Sequence, residues 1–201
     1  MKIIKVSPAN LNSVITEAVR VLKSGGVIAH PTDTVWGLAC DAGNEKAVAK
    51  IHSLKKSDST KPLLLNLPSK NYLNKIGRKL CKAHLLAKEF WPGGLSLLVL
   101  AKDGKGKLGV RLPDHELSAA LARKFGKPLT TTSANLSGER VAKDGREVVK
   151  IFPKADLILD DGSSSKNNPS TLIDVSKQEV KLIREGGISF KKILRTLSSR
   201  S

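Results

Sequence analysis

Three short polar side chains, Thr32, Asp33 and Thr34, follow Pro31 where the apolar run Val27 to His30 has to stop. Proline fixes its own φ and pushes the residue before it into an extended conformation, so the run ends as a strand. Hydroxyls and a carboxylate then stand at a strand tip, where they can meet a ligand without crossing the core. Further along, Lys55 and Lys61 flank a Lys- and Ser-rich loop, and Arg111 sits between apolar Val110 and Leu112. Thr130 to Asn135 ends a strand in hydroxyls and an amide, and Ser170, Thr171 and Arg184 fall in a late pair of apolar runs. Each feature alone reads as a turn or a solvated charge. Together they put hydroxyls, an amide and cations at strand ends, as a site for a polyanion plus a small polar molecule requires.

Standard signatures are missing. Gly104 to Gly109 satisfies GxGxxG, but Val110-Arg111-Leu112-Pro113 reads extended where a dinucleotide site needs a helix to open. There is no GxxxxGK[ST], HExxH or GxSxG, and four His and two Cys are too scattered for a metal or Cys–His site. Cys40 and Cys81 are each expected to be small buried apolar residues. Lys and Arg total 35 against 18 acids, a net +17, which implies an anionic partner: nucleic acid or nucleotide phosphate. With one Tyr, two Trp and four Phe, there is little material for stacked aromatic platforms. No apolar run approaches a membrane span and no signal peptide opens the chain, so it reads as cytoplasmic, with no membrane partner.

The elements that must position these groups follow from periodicity and punctuation. Strands are expected at Lys2 to Val6, Val27 to His30, Val35 to Cys40, Pro62 to Leu67, Leu95 to Ala101, Val110 to Leu112, Pro128 to Thr132 and Leu157 to Leu159, with a hairpin from Ser170 to Arg184. Helices are expected after caps at Asn10, Asn44 and Asp114, over 69–90 either whole or in two pieces around Gly77 and with His84 packed on its apolar stripe, over Gly145 to Phe152, and from Ser189 to the basic end (189–198). On the 69–90 helix, Lys75, Arg78, Lys79 and Lys82 read as one cationic face, suited to tRNA or a partner or simply to water. With 201 residues and no linker, the chain reads as a single α/β domain, 1–201, built on a mixed open sheet.

PTDTVWGL, WPGGLSLLVL, VRLP, TTTSANLSG, PSTLIDV and LIREG, in this order and spacing, closely resemble the YrdC/TsaC family of threonylcarbamoyl-AMP synthases, from about Ile15 to Gly187. The resemblance implies the family's twisted open α/β sheet with a large electropositive cleft, in its short single-domain form. It implies formation of L-threonylcarbamoyladenylate and pyrophosphate from L-threonine, bicarbonate and ATP, a nucleotidyl transfer that feeds t6A modification of tRNA. Threonine would be held by Thr34, Asn66, Arg111, Ser133 and Ser170, with Arg111 on its carboxylate. ATP would be held by Lys55, Ser57, Lys61, Lys107, Asn135, Lys143 and Arg184, with magnesium carried through ATP oxygens rather than by protein ligands. Lys55 and Arg111 would carry the catalytic part. Two positions depart from the family pattern: Ser57 stands where its KxR motif has arginine, and Asn66 where histidine is common. tRNA and t6A-machinery proteins are further implied partners. The rival reading from another class is a non-catalytic RNA-binding or ribosome-maturation protein that uses the same basic cleft.

Overall fold

A computed structural model describes residues 1–163 and 168–199. Along the chain run β1 (Lys2–Lys5), α1 (Leu11–Lys23), β2 (Ile28–His30), β3 (Gly37–Ala39), α2 (Glu45–Lys55) and β4 (Leu64–Asn66). A short turn leads into α3 (Leu73–Ile76), β5 (Gly77–Arg78), α4 (Cys81–Phe90), β6 (Leu95–Ala101), β7 (Lys107–Arg111) and α5 (Glu116–Phe125). Then follow β8 (Leu129–Ser133), α6 (Gly145–Ile151), β9 (Leu157–Asp160), β10 (Thr171–Asp174), β11 (Lys181–Arg184) and α7 (Phe190–Ser198).

The strands form one mixed sheet in the order β1-β9-β2-β3-β8-β4-β7-β6-β10-β11, with β5 added to β6. In its first half the strands are covered on both sides, and their side chains alternate between two cores. Ile28, Leu157 and Leu159 join α1 and α5, while Val27, Ala29 and Ile158 join α2 and α6. Helix α1 turns Val14, Ile15, Ala18, Val19 and Leu22 inward, and burying each large aliphatic contributes roughly 1.5–3 kcal/mol before entropic costs.

The second half is covered on one face only. Leu95, Leu97, Val99, Val110 and Ile173 pack under α4 and α7. Their alternates Leu98, Gly109, Arg111, Ser170 and Leu172 point the other way, onto the floor of a cavity. Strand period thus explains how Arg111 can sit in an apolar run and still face a ligand.

Element by element, the expectations hold at most positions and fail at five. Asn44 caps α2 by accepting from the Ala47 N–H at 3.1 Å. Asn10 precedes α1 but does not cap it: its side chain accepts from Ser7 N–H and donates to the Lys5 carbonyl, both at 2.9 Å, tying down the incoming loop. His115, not Asp114, is the residue before α5, and no side chain caps that helix. The 69–90 stretch is in two pieces around Gly77, the second of the two arrangements its sequence allowed, with Gly77 and Arg78 paired as a strand with Ala101 and Leu100. A Cβ at Gly77 would come within 2.8 Å of Leu80, so glycine permits the close turn. Lys75, Arg78, Lys79 and Lys82 therefore do not share a helix face. The same break turns His84 and Cys81, both expected to be buried, outward; His84 is exposed and bonds Asn74 Oδ1 at 2.7 Å. None of the described helices is long and apolar enough to cross a membrane.

Candidate active site

The register of the central strands builds the site. Gly37 pairs with Ser133 and Leu38 with Thr132, while Leu64 faces Thr131 and Asn66 faces Arg111. Gly37 has no side chain to cover the hydroxyl strand, and a Cβ there would lie 3.3 Å from the Thr132 carbonyl. A cavity of about 690 Å³ opens here, between β8, the loop after α2 and the bare face of β7, β6 and β10. Among the described residues its wall contains Lys55, Lys61, Lys107, Arg111 and Arg184 and no Asp or Glu. The volume suits a nucleotide-sized ligand with a small co-substrate.

Arg111 is the most constrained of these cations. Its Nη2 donates to Asp33 Oδ1 at 2.6 Å, Nη1 to Thr34 Oγ1 at 2.8 Å and Nε to the Gly93 carbonyl at 3.0 Å. Both side chains of the Arg111–Asp33 pair are nearly out of water, 7% and 12% exposed. Burial pulls the guanidinium pKa down and the Asp33 carboxylate opposes that shift. Of five guanidinium N–H groups, two remain for a ligand, enough for one carboxylate. Asp33 is thus a site residue that the sequence reading placed at the strand tip but gave no role. Its position between two hydroxyls, ahead of the lone buried arginine, was the available signal.

Lys55 behaves differently from a free phosphate cation. Its ammonium donates to the Asn135 carbonyl at 2.7 Å, to Asn135 Oδ1 at 3.2 Å and to the Ser133 carbonyl, which commits all three hydrogens to one loop. Ser133 in turn donates to Asn135 Oδ1, and the Asn135 amide holds the Leu136 and Glu139 carbonyls at 2.8 Å. The lysine therefore positions the Ser133–Asn135 loop and contributes charge from behind it. Burial, and secondarily the Lys61 charge, push its pKa down to about 8.

On the far wall, Arg184 donates to the Ser170 carbonyl at 3.0 and 3.2 Å, and Ser170 Oγ lies 2.8 Å from Ser96 Oγ. Lys107 is paired with Asp174 at 2.5 Å. Thr34, Lys55, Ser57, Lys61, Lys107, Arg111, Ser133, Asn135, Ser170 and Arg184 all border the cavity. Asn66 and Lys143 do not. Asn66 is 3% exposed beside Arg111, with Oδ1 buried and unpaired among the described residues. Lys143 is exposed on the loop before α6. His52, which the sequence reading passed over, does line the cavity. It sits three residues before Lys55, a spacing that puts both on one helix face and could have been read in advance.

A family model named Sua5/YciO/YrdC and described as "Telomere recombination" matches residues 20–186. The threonylcarbamoyl-AMP synthase of Chromohalobacter salexigens is 34% identical over 175 residues, covering 82% of this chain and 94% of that protein. The threonylcarbamoyl-AMP synthase of Pyrococcus abyssi is 30% identical over 186 residues, covering 88% of this chain but 55% of the relative. The crystal structure of P. abyssi Sua5 complexed with L-threonine superposes with a TM-score of 0.87 at 28% identity, over 98% of this chain and 59% of that one.

Proposed function

Because the chain belongs to the Sua5/YciO/YrdC family, we propose that it is a threonylcarbamoyl-AMP synthase, making L-threonylcarbamoyladenylate and pyrophosphate from L-threonine, bicarbonate and ATP for t6A modification of tRNA. The observation that carries this reading is the cavity: among the described residues its wall has five Lys and Arg side chains and no acid, with hydroxyls and an amide gathered at one end. Threonine lies at that end, its carboxylate on the two unused Arg111 N–H groups and its polar atoms near Thr34, Ser133 and Ser170. ATP lies along Lys61, Lys107, Ser57, Asn135 and Arg184, with Lys55 bracing the loop beneath it. Asn66 acts from behind Arg111, and Lys143 makes no contact unless its loop moves.

The reaction is one of positioning and charge. The threonine amine attacks bicarbonate carbon, water leaves, and the resulting carbamate is an oxygen nucleophile. That oxygen displaces pyrophosphate at the α-phosphorus of ATP. No side chain forms a covalent bond. The cations offset charge that grows on the leaving phosphates, and Arg111 fixes the threonine so that its amine faces the nucleotide. The substrate form is Mg·ATP. ATP oxygens and water would hold the magnesium, with the cavity's lysines and arginines facing the phosphates. The protein works in the cytoplasm, where tRNA and its modifying partners are found.

Pyrophosphate release tests this. It is expected only with threonine and bicarbonate both present. Equal release with serine, or with no amino acid, would show that the hydroxyl end of the cavity does not select threonine. The rival reading, an RNA-binding protein without catalysis, gains no observation of its own; it predicts salt-sensitive RNA binding and no pyrophosphate release.

A further inference from the structure

Among the described residues, His52 is the only imidazole on the cavity wall, and the reaction derived above does not use it. It belongs to α2 and is 5% exposed. Its Nδ1 lies 3.0 Å from Ser57 Oγ, and the Ser57 N–H donates to the His52 carbonyl at 3.0 Å. The left-handed turn at Lys56, φ 49°, folds the chain back so that Ser57 meets His52 twice, its backbone N–H on the His52 carbonyl and its hydroxyl on the ring. Nε2 makes no hydrogen bond to a described residue. His52 lines the cavity wall, so this nitrogen is available to a ligand there.

We propose that His52 Nε2 is a phosphate contact of the nucleotide site, positioned by Ser57, and that the site grips polyphosphate more tightly when His52 takes up a proton. This rests on reading the cavity as an ATP site. A serine hydroxyl can serve either ring state. With the neutral ring it donates to Nδ1, which places the N–H on Nε2, toward the cavity. With the charged ring it accepts from Nδ1–H, and Nε2–H still points the same way. The proton thus changes charge without changing geometry.

The charged groups around the ring are Lys55 on its helix face and Lys61 and Asp58 in the following loop. The residues of the facing 131–141 segment that line the cavity are uncharged, while Lys107, Arg111 and Arg184 come from the opposite strands. A bound polyphosphate offsets all of these cations at once, so the ligand should draw a proton onto His52.

The test is binding of ATP and of inorganic pyrophosphate, by calorimetry between pH 5.5 and 8.5, to the wild type, His52→Gln, His52→Phe and Ser57→Ala. Glutamine keeps a neutral donor near Nε2 but cannot titrate, and the ratio of wild type to His52→Gln cancels the ligand's own protonation. That ratio should be near one at pH 8.5 and rise to about tenfold at pH 5.5, the size of one added charged hydrogen bond. His52→Phe should be weaker than the wild type throughout, and Ser57→Ala should shrink the acid gain. In parallel, the His52 ring proton, followed by NMR without any substitution, should titrate at higher pH when pyrophosphate is present. A flat ratio, or an unmoved His52 titration in protein saturated with pyrophosphate, overturns the proposal. Absence of ATP binding by the wild type at every pH would instead overturn the reading of the cavity, and the proposal with it.

Discussion

Replacing Asp33 with alanine strands a guanidinium. Arg111 stays 7% exposed and keeps Thr34 and the Gly93 carbonyl, but it loses the one anion within hydrogen-bond distance, at 2.6 Å. Removing one partner of a buried pair costs about 3–5 kcal/mol, because the remaining charge cannot regain its water. For a chain of this size each kcal/mol moves the melting temperature by about 2–4 °C, so Asp33→Ala should melt roughly 6–20 °C lower. Asp33→Asn keeps an acceptor oxygen and loses only the charge, and should cost about 1–2 kcal/mol. The double variant Asp33→Ala/Arg111→Met leaves no orphan, so it should be less destabilised than the sum of its two single changes. Urea unfolding followed by circular dichroism reads the wild type, both Asp33 variants, Arg111→Met and the double variant. L-threonine adds a second readout: its carboxylate would replace the missing anion, so it should raise the melting temperature of Asp33→Ala by more than that of the wild type. A loss below about 1 kcal/mol in Asp33→Ala, or strict additivity in the double variant, would refute the claim that this pair is desolvated and coupled.

Three other perturbations follow from particular contacts. A Cβ at Gly186 would lie 2.0 Å from the Pro169 carbonyl oxygen and 2.7 Å from the Ser170 carbonyl carbon, so Gly186→Ala must push Ser170 off the cavity wall. It should cost about 1–3 kcal/mol in urea unfolding and raise the threonine KM more than the ATP KM. Lys56→Gly relieves a left-handed residue that is exposed and off the cavity wall, and should stabilise the chain by up to about 1 kcal/mol while ATP affinity stays the same. Lys55, with its pKa pushed down to about 8, is partly neutral at pH 8.5, and an anionic ligand favours its charged form. ATP binding at pH 8.5 should therefore take up protons, seen as a dependence of calorimetric heat on buffer ionisation enthalpy, and Lys55→Arg should reduce that uptake. The same shift makes the fold more stable as pH rises from about 8 toward the unfolded lysine value of 10.5, because over that window the unfolded chain holds the extra proton.

Local chemistry sufficed for much of the molecule. Pro31 ends β2, Asn44 starts α2, and the alternation of Val110, Arg111 and Leu112 marks a strand whatever surrounds it. Six of the ten expected residues that border the cavity, Thr34, Arg111, Ser133, Asn135, Ser170 and Arg184, fall in the ordered motifs, which lie at strand ends or on strand faces that the sheet gathers at its centre.

Other features depended on partners far away in sequence. Gly77 marks a candidate break in 69–90 from the sequence, but only pairing with Leu100 and Ala101 decides that Gly77 and Arg78 form a strand there. Exposure of Cys81 and His84 follows from that break: periodicity says which residues share a face but not which way the face points. The cations differ for the same reason. Sequence counts Lys55, Lys56, Lys61 and Lys143 as equals. In the folded chain Lys55 is locked onto the carbonyls of a loop 78–80 residues away, Lys56 is turned outward by its own backbone, Lys61 borders the cavity and Lys143 lies off it. Whether Arg111 meets its ligand with a bare guanidinium or one shared with Asp33 was likewise decided only when two strand ends, 78 residues apart, were brought within 2.6 Å. Charge and residue type are properties of the sequence, but desolvation and hydrogen-bond capacity belong to the neighbours that folding supplies.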